Sequence, residues 1–114
     1  MLSREKRLTK SRDFEAVYRK GRRISSASFN LSYRRNRLVA SRVGIVVGKK
    51  FSGKAVLRNK AKRVYREAAR SIYPQILPGY DLVIFLKKNG SQKITLEGAI
   101  RELEDTFKKE GIMK

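Results

Sequence analysis

From Ala27 to Arg34 apolar and polar positions alternate: Ala27, Phe29, Leu31 and Tyr33 fall on one side, and Ser28, Asn30, Ser32 and Arg34 on the other. A period of two marks a strand with one buried face. The preceding RRIS adds a short strand. Two further runs, VGIVVG (Val43 to Gly48) and LVIFL (Leu82 to Leu86, launched by Pro78-Gly79), are apolar without alternation. Such runs predict strands covered on both faces, central in a sheet. Elsewhere the period is helical. Phe14, Val17 and Tyr18 recur at i, i+3 and i+4, with Ser11 as a cap, Asp13 and Glu15 near the positive end and Gly21 just past it. A long helix is predicted from Ala61, Val64, Tyr65, Ala68 and Ile72, ended by Pro74, with Ser52 as N-cap and Phe51 and Val56 placed to staple its start. A last helix starts near Thr95 and is expected to bury Leu96, Ala99, Ile100, Leu103 and Phe107, with Glu104–Lys108 and Asp105–Lys109 at the favourable i, i+4 spacing outside. The pattern is that of a single α/β (α+β) domain over residues 1–114, without repeat, linker or low-complexity tract.

Charge changes the picture more than length does. The chain carries 29 Lys and Arg against 10 Asp and Glu, a formal +19. No acidic residue occurs between Ala16 and Arg66, a stretch of 51 residues holding sixteen of the cations. A merely solvated surface mixes both signs, because like charges packed together oppose folding. The one-signed segment therefore points to a polyanionic partner. No apolar run is long enough to cross a bilayer, and MLSREKRLTKSR lacks the apolar core of a signal peptide, so cytoplasmic nucleic acid is the expected partner rather than membrane. The chain has no Cys and no His. Disulfides, thiolate nucleophiles, His general bases and Cys/His metal sites are excluded, and the few scattered carboxylates supply no catalytic constellation. Neither a catalytic residue nor a metal ligand is expected.

Two motifs stand out. Gly48 to Ala55 reads G-x-x-x-x-G-K-A between a strand and a helix, the setting of a P-loop, but Ala55 stands where Mg²⁺ needs Ser or Thr. A glycine-rich turn is the better reading, with Lys49, Lys50 and Lys54 placed for phosphate contacts at a helix start. The helix segment RNKAKRVYRE (Arg58 to Glu67) is sharper. At 100° per residue Arg58, Asn59, Lys62, Arg63, Arg66 and Arg70 gather opposite the apolar stripe, and no glutamate neutralises them before Glu67. Such a face suits phosphate binding. On the first helix, Phe14 and Tyr18 are either core residues or a stacking platform beside the polar strand residues Asn30 and Ser32, which together would form a groove of single-strand width.

These residues carry a resemblance. The opening R-L-x-K-S-R-D-F-x-x-V-Y-x-x-G (Arg7 to Gly21), the strand R-V-G-I-V-V-G-K-K (Arg42 to Lys50) and the helix R-N-x-x-K-R-x-x-R-E (Arg58 to Glu67) resemble the protein subunit of bacterial ribonuclease P. The resemblance implies one compact domain, a four-stranded sheet with three helices in a ribosomal-protein-like two-layer sandwich, and a left-handed strand–helix–strand crossover against the usual rule. Residues 1–10 are the segment whose order without RNA is in question. It also implies a one-to-one complex with a catalytic RNA that removes the 5′ leader from precursor tRNA, the Mg²⁺ being held mainly by the RNA. By the same resemblance Arg58, Asn59, Lys62, Arg63 and Arg66 face the catalytic RNA, while Phe14, Tyr18, Asn30 and Ser32 line the leader cleft. Two departures from the family pattern are Lys60, where many members carry Arg, and Ser32, where an aromatic is common. The second raises the alternative that Tyr33 takes part in the cleft.

Overall fold

The computed structural model describes residues 2–88 and 94–114. Its elements are α1 (Ser11–Lys20), β1 (Arg22–Ser25), β2 (Phe29–Arg35), β3 (Arg42–Val46), α2 (Ala55–Ile72), β4 (Tyr80–Leu86) and α3 (Leu96–Glu110), with 3-10 turns at Arg4–Lys6 and Tyr73–Gln75. The sheet order is β1-β2-β4-β3, so β4 is interior as expected. β3, also expected to be central, is an edge strand whose apolar residues are covered by the segment before α1 and by the helices. β2 pairs antiparallel with β1 and β4, whereas β3 runs parallel to β4. A hairpin cannot join parallel neighbours, so α2 serves as the crossover between β3 and β4.

Register sorts the side chains onto two faces. Phe29 and Leu31 of β2 lie level with Leu86 and Ile84 of β4, and Val43 of β3 with Leu82. Ala61, Tyr65, Ala68, Ala69 and Ile72 of α2 and Ala99, Leu103 and Phe107 of α3 close over that face to make the main core. Each large side chain fully buried there contributes about 1.5–3 kcal/mol. The opposite face presents Asn30 and Ser32 of β2, Gly44 and Val46 of β3, and Val83 and Phe85 of β4. On it α1 packs Phe14 and Val17, together with Leu8, against Val83 and Val46. The unbroken apolar run of β4 thus meets protein on both sides, while alternating β2 meets the main core on one.

Several local expectations shift. Ser11 is the first residue of α1, and Lys10 occupies the cap position without a side-chain bond. α2 begins at Ala55 because Ser52 is used one turn earlier, its Oγ accepting from the Lys54 amide at 3.1 Å. Val56 is 76% exposed, so the staple with Phe51 does not form; Phe51 packs at the edge of the main core instead. Thr95 does cap α3, its Oγ accepting from the Gly98 amide at 3.1 Å. Leu96 in that first turn is exposed rather than buried. Neither Glu104 with Lys108 nor Asp105 with Lys109 closes into an ion pair; Glu110 pairs across the fold with Arg22 at 3.1 Å. Gly21 ends α1 as expected, for a steric reason. A Cβ there would lie 2.4 Å from the Val17 carbonyl oxygen and 2.6 Å from that of Tyr33.

The segment before α1 is anchored at the edge of the sheet. Leu8 donates its amide to the Val43 carbonyl at 3.0 Å, and Arg7 bridges Val43 in parallel sense. This segment covers part of the outer edge of β3, which would otherwise offer unpaired backbone groups. Leu8 is buried beside α1, and Lys6 Nζ sits 4.8 Å from the centre of the Tyr73 ring.

Candidate nucleic-acid interface

The cationic side of α2 follows from its apolar stripe. With Ala61, Tyr65, Ala68 and Ile72 turned to the sheet, Asn59, Arg63 and Arg66 are exposed and Arg58 and Lys62 half-buried. Asn59, Lys62, Arg63 and Arg66 make no ion pair among the described residues. Arg58 differs. Its Nη1 donates to the Ser52 carbonyl at 2.8 Å, fastening the turn that carries exposed Lys49, Lys50 and Lys54 to the helix. Turn and helix therefore present one cationic surface. Its far limit is Arg70, which shares the same side but is paired with Glu67; that hydrogen bond holds the glutamate below the usual carboxylate range.

The second surface lies on the other side of the sheet. Phe14, Tyr18, Asn30 and Ser32 all belong to the face covered by α1, but their exposure differs. Tyr18 is 39% exposed and Phe14 half-buried, its ring resting against the backbone of Gly44. Partial burial raises the Tyr18 pKa, an effect the charge of Arg23 opposes. Asn30 is half-buried, directly across from Phe85. Ser32 is only 4% exposed and so forms floor rather than wall. Tyr33 does not join them: it points to the main-core side, where its hydroxyl donates to Glu110 Oε1 at 2.7 Å. Phe85 is a half-buried aromatic on this face that sequence reading missed, because an unbroken apolar run hides which side each residue faces. Pairing with Asn30 reveals it.

Three carboxylates, Asp13, Asp81 and Glu102, are bound internally. Arg42 Nε and Nη2 donate to Asp81 Oδ1 and Oδ2 at 2.9 and 2.7 Å, and Nη1 to Asp13 Oδ2 at 3.3 Å. Pairing with Asp81, then with Asp13, raises the Arg42 pKa despite its burial. This links the first turn of α1 to the centre of the sheet. Glu102 accepts from Ser26 Oγ and the Ser28 amide at 2.6 and 2.8 Å, tying α3 to the β1–β2 turn. These three carboxylates act as internal joints and leave Lys62, Arg63 and Arg66 of α2 without an ion-pair partner among the described residues.

A family model described as Ribonuclease P matches residues 2–111. The chain belongs to the ribonuclease P protein family. A ribonuclease P protein component from Clostridium kluyveri is 36% identical over 112 residues, covering 95% of this chain and 96% of that one. Among solved structures, the Staphylococcus aureus RNase P protein superposes with a TM-score of 0.82 at 28% identity, over 96% of this chain and 98% of that one. The Thermotoga maritima RNase P protein gives 0.80 at 33% identity, over 90% and 96%. The four-stranded mixed sheet with three helices is thus the fold of bacterial ribonuclease P proteins, and the chain is a ribonuclease P protein component with a place in tRNA processing. No helix among the described residues is long and apolar enough to cross a membrane.

Proposed function

We propose that this chain binds the catalytic RNA of ribonuclease P through α2 and the turn before it, and holds the 5′ leader of precursor tRNA in the cleft between α1 and the sheet. In this reading the two form a one-to-one cytoplasmic complex in which the RNA carries out the Mg²⁺-dependent hydrolysis that frees the mature tRNA 5′ end. The observation that supports it is a cationic face on α2, free of acidic residues from Arg58 to Arg66, with Phe14, Tyr18 and Asn30 partly exposed on the opposite side of the same sheet. Arg58, Asn59, Lys62, Arg63 and Arg66 would meet the catalytic RNA, and Lys49, Lys50 and Lys54 further phosphates. Each phosphate neutralised releases counterions, so binding should weaken steeply with salt. Phe14, Tyr18 and Asn30 would receive leader bases by stacking and hydrogen bonding, with Ser32 beneath them.

The residues present do not suit a Mg²⁺ site in the protein. Asp13 and Asp81 are both committed to the Arg42 guanidinium, and Glu15, the other carboxylate of α1, stands apart on the exposed side beside Arg19. No step is assigned to a protein-held metal, and the chain's part is to position RNA and offset its charge. The test is leader removal from precursor tRNA by a bacterial ribonuclease P RNA at low Mg²⁺. Protein-dependent cleavage at the mature end is expected. Tight RNA binding without stimulation would instead assign a structural RNA-binding role and remove the cleft's function.

A further inference from the structure

The loop from β2 to β3 lies at the start of β3, at the opposite end of that strand from the lysine-bearing turn. Its tip is apolar, with Val39 97% exposed and Leu38 50%. Together with Arg35, Arg37, Pro78 and Gly79 they line a recess of about 400 Å³, and no carboxylate lines it. Arg35 and Arg37 are exposed and have no ion-pair partner among the described residues. The loop is nevertheless firmly fastened. Asn36 Nδ2 donates to the Ala40 carbonyl at 3.1 Å and to Asp81 Oδ1 at 2.8 Å, and its Oδ1 accepts from the Leu38 amide at 2.7 Å. The Asn36 amide donates to the Gly79 carbonyl at 2.9 Å, and Ser41 Oγ to the Leu77 carbonyl at 2.6 Å. Arg37 is held at a φ of 61°, a left-handed conformation that suits glycine or asparagine better. The fold thus keeps two aliphatic side chains in water beside two arginines, on a loop whose shape is set before anything binds.

We propose that this loop is a docking site for an acidic segment of a partner protein, which seats an apolar side chain against Leu38 and Val39 while its carboxylates meet Arg35 and Arg37. Charge decides against a second copy of this chain, since two molecules of formal +19 repel one another. The aliphatic tip decides against RNA: phosphates answer the arginines but leave the methyl groups in water, and unpaired bases seek aromatic faces to stack on. The one ring beside the recess, Tyr80, already carries Arg35, whose guanidinium lies 5.2 Å from its centre. A peptide segment answers both halves of the surface at once. Guanidinium groups grip carboxylates in a fixed fork, and a loop already ordered spares the association much of its entropic cost. The site stands independently of the function proposed for α2 and the cleft.

The test uses the full chain and a blocked hexapeptide with a Leu-Phe pair between two acidic residues on each side, followed by amide NMR at constant ionic strength. Saturable shifts confined to residues 35–41 and 78–80 are expected. Shifts at residues 49–54 or along α2 instead, or none that saturate, would overturn the site. Val39→Ser, which alters a solvated side chain and should leave the fold intact, is expected to weaken the peptide about tenfold, as loss of one buried aliphatic group implies. Arg37→Gly, which removes the cation and suits the left-handed backbone, should weaken it about threefold, more at low salt than at high. A control peptide with Ser-Ser in place of Leu-Phe should bind about tenfold less tightly than the original. Equal affinity for the two peptides, or for parent and Val39→Ser, would reduce the contact to general charge attraction and overturn the proposal. Affinity for the catalytic RNA should be the same in Val39→Ser as in the parent; a loss there would assign the loop to RNA instead. Vesicles of phosphatidylcholine and phosphatidylserine supply the last arm. Vesicle binding that Val39→Ser abolishes, with peptide binding unchanged, would make the loop a membrane contact and overturn the protein partner.

Discussion

Removing Asp81 tests whether one buried ion pair holds the α1 side of the molecule together. Its side chain is 6% exposed and that of Arg42 22%, and Asn36 Nδ2 also donates to Asp81 Oδ1 at 2.8 Å. In Asp81→Ala the guanidinium keeps only the longer contact to Asp13, and Asn36 loses one acceptor while retaining the Ala40 carbonyl at 3.1 Å. Breaking a buried pair by deleting one partner costs about 3–5 kcal/mol. Arg42 retains Asp13 and some water, so the lower end applies, about 3 kcal/mol. At about 4 °C per kcal/mol for a domain of this size, the melting temperature should fall by about 12 °C. Asp13→Ala removes a longer contact at a more exposed carboxylate, 23% against 6%, and should cost under about 1 kcal/mol. Replacing both partners with apolar residues, Arg42→Met with Asp81→Leu, should recover much of the loss, since neither charge is then stranded. Thermal and urea unfolding of these three variants, with Arg42→Met and Asp81→Leu each alone, complete the cycle. An Asp81→Ala loss no larger than that of Asp13→Ala, or a double variant as unstable as the sum of its singles, would refute the reasoning.

Three further outcomes are expected. Phe14→Ala should weaken binding of precursor tRNA with a long leader by about fivefold or more, from about 1–3 kcal/mol of stacking per base, and leave mature tRNA unaffected; equal losses for both would make Phe14 a core residue only. Arg63→Ala should lower affinity for the catalytic RNA and reduce the salt slope by about one; combining it with Arg58→Ala should exceed the sum, because Arg58 also fastens the lysine-bearing turn, and an unchanged slope would remove α2 as the RNA face. Tyr33 is pushed up to about 12 by burial and then by its bond to Glu110, and Tyr65 to about 12 by burial and then by the charge of Glu102. Both folded values lie above the ordinary 10.0, so their contribution to stability is complete below pH 10 and is lost as pH rises toward 12. Phenolate absorbance should show these two lagging behind; their titration near pH 10 in the folded protein would contradict the assignment.

The sequence was most legible where a signal is local. Alternation in β2, the unbroken run of β4 and the arrest of α2 before Pro74 each depend on neighbours within one element. So does the cationic face, which needs only the helical period. The equally unbroken run of β3, expected in the centre of the sheet, forms its edge instead. Ser52 and Val56 show where a local signal misleads: the turn from Gly48 to Lys54 uses the serine first, and the helix starts later. Strand order was illegible from periodicity, since β4 inserts between β2 and β3 through pairings distant in the chain. The same limit applies at the surfaces. Ser32 alternates like an open residue, and only the position of α1 above it closes it off. Arg42 finds its partners 29 and 39 residues away, and nothing in RVGIVVG announces them. Arg7 reads as one more cation in a basic opening, and only its place against β3 shows its Nε to be shut in.

Gly44 gives the cleft a dimension that no wall residue controls. A Cβ at that position would fall 2.6 Å from Cε1 and Cζ of Phe14 and 3.1 Å from Cβ of Leu8. Carbon atoms pack comfortably at about 3.5–4.0 Å, so one added methyl would have to push the ring away by about 1 Å. The missing atom therefore works as a spacer setting, fixing how far the aromatic helix can sink toward the strand behind it. The bore of the groove is written on the hidden side of its wall. Relatives could retune it for thicker or thinner ligands there, with every ligand-touching side chain left as it is.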